Sequence, residues 1–311
     1  MTPAIVVDDI SKSFGFLKAV DRLQMSIHAG EMFGFVGPDG AGKTTTIRML
    51  CGILAPTSGT ATVLGHDIVR EPDLVKREIG YLSQRFSLYG DLTVDENIEF
   101  FAEINKVRSF KPRREELLEF TRLKPFRDRL AERLSGGMKQ KLALACTLVH
   151  TPRLILLDEP TTGVDPVSRR DFWRILQSLL KEGITIIMST PYLDEAERCG
   201  RVALMSGGRA IRVDTPARLK QEMHGEVLEI VCDQVRKASG LLKTAHAGRE
   251  VQTFGDRLHV IVDDPRSAMK TVERLLRSET ITVGGMRIIP PSLENVFISL
   301  LTHPDMKKDV A

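Results

Sequence analysis

Gly37-Pro-Asp-Gly40-Ala-Gly42-Lys43-Thr44-Thr45 lies between an apolar run, Phe33 to Val36, and a helical stretch, Lys43–Leu50. The run before it is apolar on both faces, as a strand buried inside a sheet is. Gly37, Gly40 and Gly42 allow positive φ and a close approach to an anion. The amides from Asp39 and Gly40 through Ala41 to Thr45, backed by a helix N-terminus, then point at the phosphates of a nucleotide. Lys43 adds a point charge, and the Thr44 hydroxyl suits Mg²⁺. Read alone, the pattern G-x-x-x-x-G-K-[ST] is a flexible turn. The strand before it and the helix after it are the setting that gives it meaning.

A second apolar run, Leu154–Leu157, ends in Asp158-Glu159. Asp158 is expected to hold the Mg²⁺, and Glu159, one step on, to polarise an attacking water. Gln84 follows a short strand-like run. A lone glutamine is ordinarily a polar surface residue, and only its place between the two nucleotide motifs promotes it.

Composition bounds these readings. At 311 residues, one large domain plus a smaller one is expected. With 42% hydrophobic and 27% charged residues the chain is ordinary globular material. A net charge of +3 gives no electrostatic case for a nucleic-acid partner. The four cysteines are scattered, without a Cys-x-x-Cys pair, so buried reduced thiols and a cytosolic setting are expected. No segment approaches the apolar length of a spanning helix, and the first residues lack the pattern of a signal peptide. Work at a membrane would go through other subunits.

Strand-like and helical patterns alternate around the phosphate loop, which argues for an α/β core with a mainly parallel sheet. Short strands are expected at Ala4–Val7, Leu23–Ile27, Glu31–Val36, Leu154–Leu157, Ile184–Ser189 and Val202–Met205. Helices are expected at Thr93–Ile104, Arg114–Thr121 and Gly137–Val149, forming an inserted helical subdomain over about 86–150, and at Val167–Lys181. After residue 224 the order becomes strand, helix, strand, strand, helix, strand, which fits a small ferredoxin-like α+β unit. A closing helix, Ser292–Leu301, has Ser292 as its N-cap. The expected division is therefore 4–223, 224–303 and a tail at 304–311.

Taken together, Gly37–Thr45, Gln84, Leu134-Ser-Gly-Gly-Met-Lys-Gln140, Leu154–Glu159 and Gly163-Val-Asp165 resemble the nucleotide-binding domain of ABC transporters, a P-loop NTPase fold. The resemblance implies ATP and Mg²⁺ as ligands and ATP hydrolysis as the reaction. It implies that Ser135, Gly136 and Gly137 cap the γ-phosphate of ATP bound to the opposite subunit of a head-to-tail dimer. Gln84 would sense Mg²⁺ and nucleotide, Asp165 would link the two sites, and Phe14 would stack on adenine. Phe14 also reads as an ordinary core residue near a strand end.

Tyr192-Leu-Asp-Glu-Ala-Glu197 and Ser292-Leu-Glu-Asn-Val-Phe297 narrow the resemblance to ATPase subunits of ABC-2 type exporters, the drug-resistance group. Those are separate polypeptides that bind integral membrane permeases at the inner face of the cell membrane. Gly37-Pro-Asp-Gly and Lys139-Gln-Lys-Leu-Ala-Leu-Ala-Cys146 also resemble the first half of tandem double ATPases in that group. By the same analogy, Arg85 to Tyr89 would contact the permease, although Phe86 and Tyr89 read equally well as core.

Two positions depart from the family pattern. Pro191 stands where a histidine is usual, and proline offers neither a side-chain polar atom nor an N–H. Losing one donor aimed at a developing charge costs about 10²–10³ in rate. Asp39 stands where Asn or Ser is usual, and its carboxylate would repel a γ-phosphate. Thr190-Pro191 also reads as the N-cap and first residue of a helix, a place that favours proline. Both departures fall in the chain's own phosphate site, whereas Ser135–Gly137 is intact. The expectation is a heterodimer with a second, more conventional ATPase, giving one slow and one active site; a homodimer is the other possibility. A soluble ABC-type ATPase without a membrane partner, and a regulatory subunit using ATP as dimer glue, are the alternatives.

Overall fold

The computed structural model describes residues 3–84, 88–223 and 225–302. The chain divides into two compact units, Met1–Val213 and Asp214–Ala311. The expected tail at 304–311 lies outside the described residues.

The first unit begins with β1 (Pro3–Phe14), β2 (Leu17–His28), β3 (Met32–Val36) and α1 (Lys43–Leu50). Next come β4 (Ser58–Val63), β5 (His66–Asp67), α2 (Pro72–Glu78) and β6 (Ile79–Leu82). Three helices follow, α3 (Val94–Ile104), α4 (Phe110–Phe120) and α5 (Gly136–Leu148). The unit then runs β7 (Leu154–Asp158), α6 (Pro166–Lys181), β8 (Thr185–Thr190), α7 (Leu193–Ala196), β9 (Arg201–Ser206) and β10 (Arg209–Asp214).

These strands form two sheets, β2-β1-β4-β5 and β10-β9-β3-β8-β7-β6. In the larger sheet β9, β3, β8, β7 and β6 pair in parallel. β3, β7 and β8 are buried at every position, as their unbroken apolar runs require. α1 packs on β7 and β8, and Phe33, Phe35, Ile47, Leu50, Leu156 and Ile187 share one core. β1 and β2 are far longer than the expected four- and five-residue strands, because register shifts around Asp8-Asp9 interrupt the alternation that marks a strand.

Local caps set the helix starts. Thr93 and Glu96 form a reciprocal capping box on α3. Ser135 caps α5 and Asp165 caps α6. α7 departs from expectation: its N-cap residue is Tyr192, not Thr190, and Pro191 lies outside the helix. Thr190 remains in β8, and its hydroxyl accepts from the Tyr192 N–H at 3.0 Å, so a turn intervenes before the helix.

The second unit runs α8 (Pro216–Gln221), β11 (Glu226–Cys232), α9 (Val235–Thr244), β12 (Glu250–Phe254), β13 (Arg257–Val262), α10 (Pro265–Ser278), β14 (Val283–Ile289) and α11 (Leu293–Thr302). α8 packs against α11 and so belongs with this unit. The sheet order is β12-β13-β11-β14, antiparallel throughout, the order of a split βαββαβ fold. Leu228, Ile230, Leu242, Leu258, Val260, Val272 and Leu276 form its core.

The pleat also aligns a polar row across all four strands, with Gln252 opposite His259, His259 opposite Glu229 and Glu229 opposite Arg287. Fully buried Asn295 of α11 completes it. Its Oδ1 accepts from the Ser292 N–H (3.0 Å) and hydroxyl (2.8 Å). Its Nδ2 donates to Gln252 Oε1 (2.8 Å) and faces His259 Nδ1 (2.9 Å). The Ser292 backbone donor fixes which way the amide points, so His259 Nδ1 must present a lone pair.

Burial holds the His259 imidazole below its ordinary pKa, against a smaller opposite pull from Glu229. The unfolded chain therefore binds more protons as pH falls below about 6.5. His259 contributes full stability above that pH and loses it as pH falls through the folded value. Calorimetry from pH 7.5 to 5.5 should show the second unit's transition falling in temperature. His259→Gln should flatten that fall and leave the acid limb of the first unit, where burial likewise lowers His150, unchanged.

Candidate functional site

Parallel register decides what meets at the ends of the central strands. Val36 lies opposite Thr190, Asp158 opposite Ser189 and Leu82 opposite Leu157. The C-terminal ends of four strands thus deliver Gly37, Pro191, the Asp158-Glu159 pair and Gln84 to one edge, the edge where open parallel sheets bind ligands. The phosphate loop leaves β3 there, with the Gly37 N–H donating to Thr190 O at 3.4 Å. Gly42 sits at φ 98°, and a Cβ there would collide with the Ala19 carbonyl. That close approach brings β2 of the β1–β2 hairpin against the loop. Phe14, at the hairpin's end, is half exposed, with the Lys12 ammonium 5.3 Å from its ring, so it is not a core residue. Asp39 and Gly40 are exposed at the loop tip, Ala41 is buried and Thr45 half-buried.

Lys43 is buried, and its ammonium donates to Gly37 O (2.8 Å) and Pro38 O (3.0 Å). It stands 3.3 Å from Glu159 Oε1. Glu159 Oε2 accepts from Gln84 Nε2 (3.0 Å) and the Thr162 hydroxyl (3.4 Å). Glu159 has φ 48°, uncommon for a residue with a Cβ. Its N–H donates to Ser189 Oγ at 2.9 Å, which holds it there. Asp158 Oδ1 accepts from Thr44 Oγ1 (2.9 Å) and Ser189 Oγ (2.6 Å).

Asp158 Oδ2 is buried with no hydrogen-bond partner among the described residues. An orphaned carboxylate oxygen beside a threonine hydroxyl fits a divalent cation. Among the described residues no group of three or more His, Cys, Asp or Glu forms a metal cage. Such a cation would take its remaining ligands from phosphate oxygens and water, as Mg²⁺ commonly does.

Ser135, Gly136, Gly137 and Asp165 form a second cluster, with contacts to α6 instead of to Lys43. Ser135 Oγ accepts from the Met138 N–H at 3.3 Å. Gly137 packs where a Cβ would collide with Ser168. Asp165 Oδ1 accepts from the N–H groups of Val167 (3.0 Å) and Ser168 (2.9 Å). Ser168's hydrogen bonds hold that carboxyl below its usual range. Pro191 is half-buried beside the phosphate loop. Arg85 and Phe86 lie outside the described residues. Tyr89 is exposed, its ring edge-on to Phe100 at 4.4 Å.

The model of the ABC transporter family matches residues 20–162. The daunorubicin/doxorubicin resistance ATP-binding protein DrrA of Streptomyces peucetius is 37% identical over 97% of this chain and 94% of its own length. The chain belongs to the ATP-binding proteins of ABC transporters. The Nod factor export ATP-binding protein I of Rhizobium etli is 38% identical, over 98% of this ABC chain and 95% of its own. The probable multidrug ABC transporter ATP-binding protein YbhF of Escherichia coli is 52% identical over 91% of this chain. The chain spans only about half of that relative and of its Shigella flexneri counterpart, 49% of each. Among solved structures, an ATP-binding subunit of an ABC transporter aligns with TM-score 0.65 and 27% identity, over 71% of this chain and 93% of its own. A dimeric post-hydrolysis cassette bound to ADP and Pi aligns with TM-score 0.62 and 26% identity, over 68% and 98%.

Sequence reasoning assigned no role to Ser189, which grips both carboxylate residues, nor to Thr162. The parallel pairing of β7 with β8 supplies the Ser189 contacts, and the tight turn after Glu159 brings the Thr162 hydroxyl back to its carboxylate. Replacing Ser189 with Ala leaves the buried Glu159 N–H without its acceptor, at a cost of about 1–3 kcal/mol. Urea denaturation followed through buried Trp173, the chain's single tryptophan, should show the first unit of this ABC chain weakened by that amount.

Proposed function

We propose that the chain binds ATP with Mg²⁺ and hydrolyses it, energising export through separate integral membrane permeases at the inner face of the membrane. The observation carrying this reading is the cluster in which Lys43, Gln84 and Glu159 meet beside the Thr44–Asp158 pair. Lys43 would bind the β- and γ-phosphates of the substrate. Thr44 and Asp158 would hold Mg²⁺, which when bound neutralises phosphate charge. Glu159 would take the proton of the attacking water, and Gln84 and Thr162, which donate to Oε2, would orient its carboxylate. Phe14, half exposed at the end of the hairpin, would stack on the base. The export role is supported by relatives named for drug resistance and Nod factor export.

Ser135 and Gly136 are exposed at the start of α5. That supports their use on the nucleotide of a second subunit, as does the dimeric form of a solved relative. We favour a partner with a conventional ATP site. Pro191 and Asp39 alter only this chain's own site, and the Escherichia coli relative is long enough for a second domain of this size. The half-buried, donor-free Pro191 also favours one further reading, a low-turnover subunit in which ATP serves as dimer glue.

Steady-state ATP turnover, with nucleotide affinity alongside, tests both. Wild type should bind ATP and turn it over slowly. Glu159→Gln should abolish turnover, and Pro191→His should raise it by about 10²–10³ by restoring one preorganised donor. Ordinary wild-type rates with no gain from Pro191→His would sink the asymmetry. Loss of ATP binding would sink the whole reading.

A further inference from the structure

Glu195 of α7 is almost wholly buried, and the proposed chemistry does not use it. Its Oε1 accepts from the Thr161 hydroxyl at 2.5 Å and its Oε2 from the Thr190 hydroxyl at 2.7 Å. Both threonines are buried as well. Hydrogen bonds to a carboxylate are short and strong, so this bridge is a firm side-chain link. Arg169, in the first turn of α6, closes around it. Its Nε lies 3.6 Å from Glu195 Oε1, its Nη1 3.6 Å from Asp194 Oδ2, and its guanidinium 5.1 Å above the Tyr192 ring.

The two threonines sit at critical points of the backbone. Thr161 follows Glu159 by two residues, inside consecutive turns in which Thr162 N donates to Glu159 O (3.2 Å) and Val164 N to Thr161 O (3.1 Å). Thr190 immediately precedes Pro191, and its carbonyl accepts from the phosphate-loop Gly37 N–H. Pro191 cannot fasten itself, since it has neither an N–H nor a polar side chain. One buried carboxylate therefore ties the loop behind Glu159 to the segment carrying Pro191. Through Thr190 that tie reaches the phosphate loop.

We propose that Glu195 is a positioning residue for hydrolysis: it locks the 159–164 turn to the Thr190-Pro191 segment and so fixes where the Glu159 carboxylate stands. This rests on the ATPase reading above. The link is mechanical, and it needs no polar side chain at 191. Glu195 itself touches neither the phosphate loop nor Lys43, and the Thr190 carbonyl is held against Gly37 by the pairing of β8 with β3. The loss of Glu195 therefore falls on turnover instead of nucleotide affinity.

The test compares Glu195→Ala and Glu195→Gln in the full chain, by ATP turnover, nucleotide affinity and hydrogen–deuterium exchange of peptides covering 159–165 and 190–195. Alanine should accelerate exchange in both peptides and leave other regions of the first unit protected. It should lower kcat by about 10²-fold, the scale of an ångström-sized misplacement, with ATP affinity held within about threefold. Glutamine keeps an acceptor and adds a donor that either threonine hydroxyl accepts, so it should restore most of the rate. Thr161→Val should give the same paired loosening, and adding it to Glu195→Ala should cost little more. Unchanged exchange, exchange spread across the whole unit, or equal losses in affinity and kcat would overturn the proposal. A wild type that binds ATP yet never hydrolyses it, even with Pro191→His, overturns the ATPase reading instead, and the exchange pattern still decides the lock.

Discussion

The register of the central parallel strands is the constraint on which the site depends. With β3, β8 and β7 buried at every position, their apolar side chains fix each strand against its neighbours on both faces. Val36 then faces Thr190 and Asp158 faces Ser189. A slip of one residue would move Ser189 off both carboxylate residues. It would also turn buried apolar side chains toward the opposite face. The polar groups at the strand ends are therefore held by hydrophobic pairing several residues away. The Lys43–Glu159 pair shows why that matters. Two charges so far from water are stable only when their geometry is good and their remaining valences are met. Here Gly37 O, Pro38 O, Gln84 and Thr162 meet them.

What could be read from sequence follows the range of the interactions involved. Lys43–Leu50 is seen as written, because a glycine-rich turn and an apolar period sit side by side in the chain. The starts of α3, α5 and α6 fall within a residue of expectation, since Thr93, Ser135 and Asp165 cap them from within the next three positions. α4 begins four residues earlier than its apolar pattern suggests, at Phe110, where no side chain caps it. The Ser189 contacts to Asp158 and Glu159 and the Glu195–Thr161 bond span 30 or more residues in sequence and leave no local trace. In the second unit, alternation is enough to order the strands, but the Gln252–His259–Glu229–Arg287 row exists only once their register is set.

The two polar networks show different uses of buried hydrogen bonding. Asn295 spends its whole capacity on closing the turn at Ser292 and pinning β12 and β13, and its partners are structural. At the strand ends of the first unit, by contrast, Asp158 Oδ2 has no partner among the described residues and Glu159 holds an uncommon backbone conformation. Unmet valence and local strain in one place are what a site prepared for a ligand leaves behind.

Pro191 sits between these two regimes. The fold accepts it without evident cost. Thr190, ahead of it, is already extended, as a residue before proline must be. The turn is closed by the next N–H along, that of Tyr192, on the Thr190 hydroxyl. No hydrogen bond in β8 needs a donor at 191, because the strand ends at Thr190. Stability therefore places no demand for histidine at this position. Any advantage a histidine there would bring has to come from what it offers a phosphate, and any disadvantage of proline is confined to the same place. The fastening of the segment falls to Thr190 and Glu195, whose bonds are independent of the residue between them.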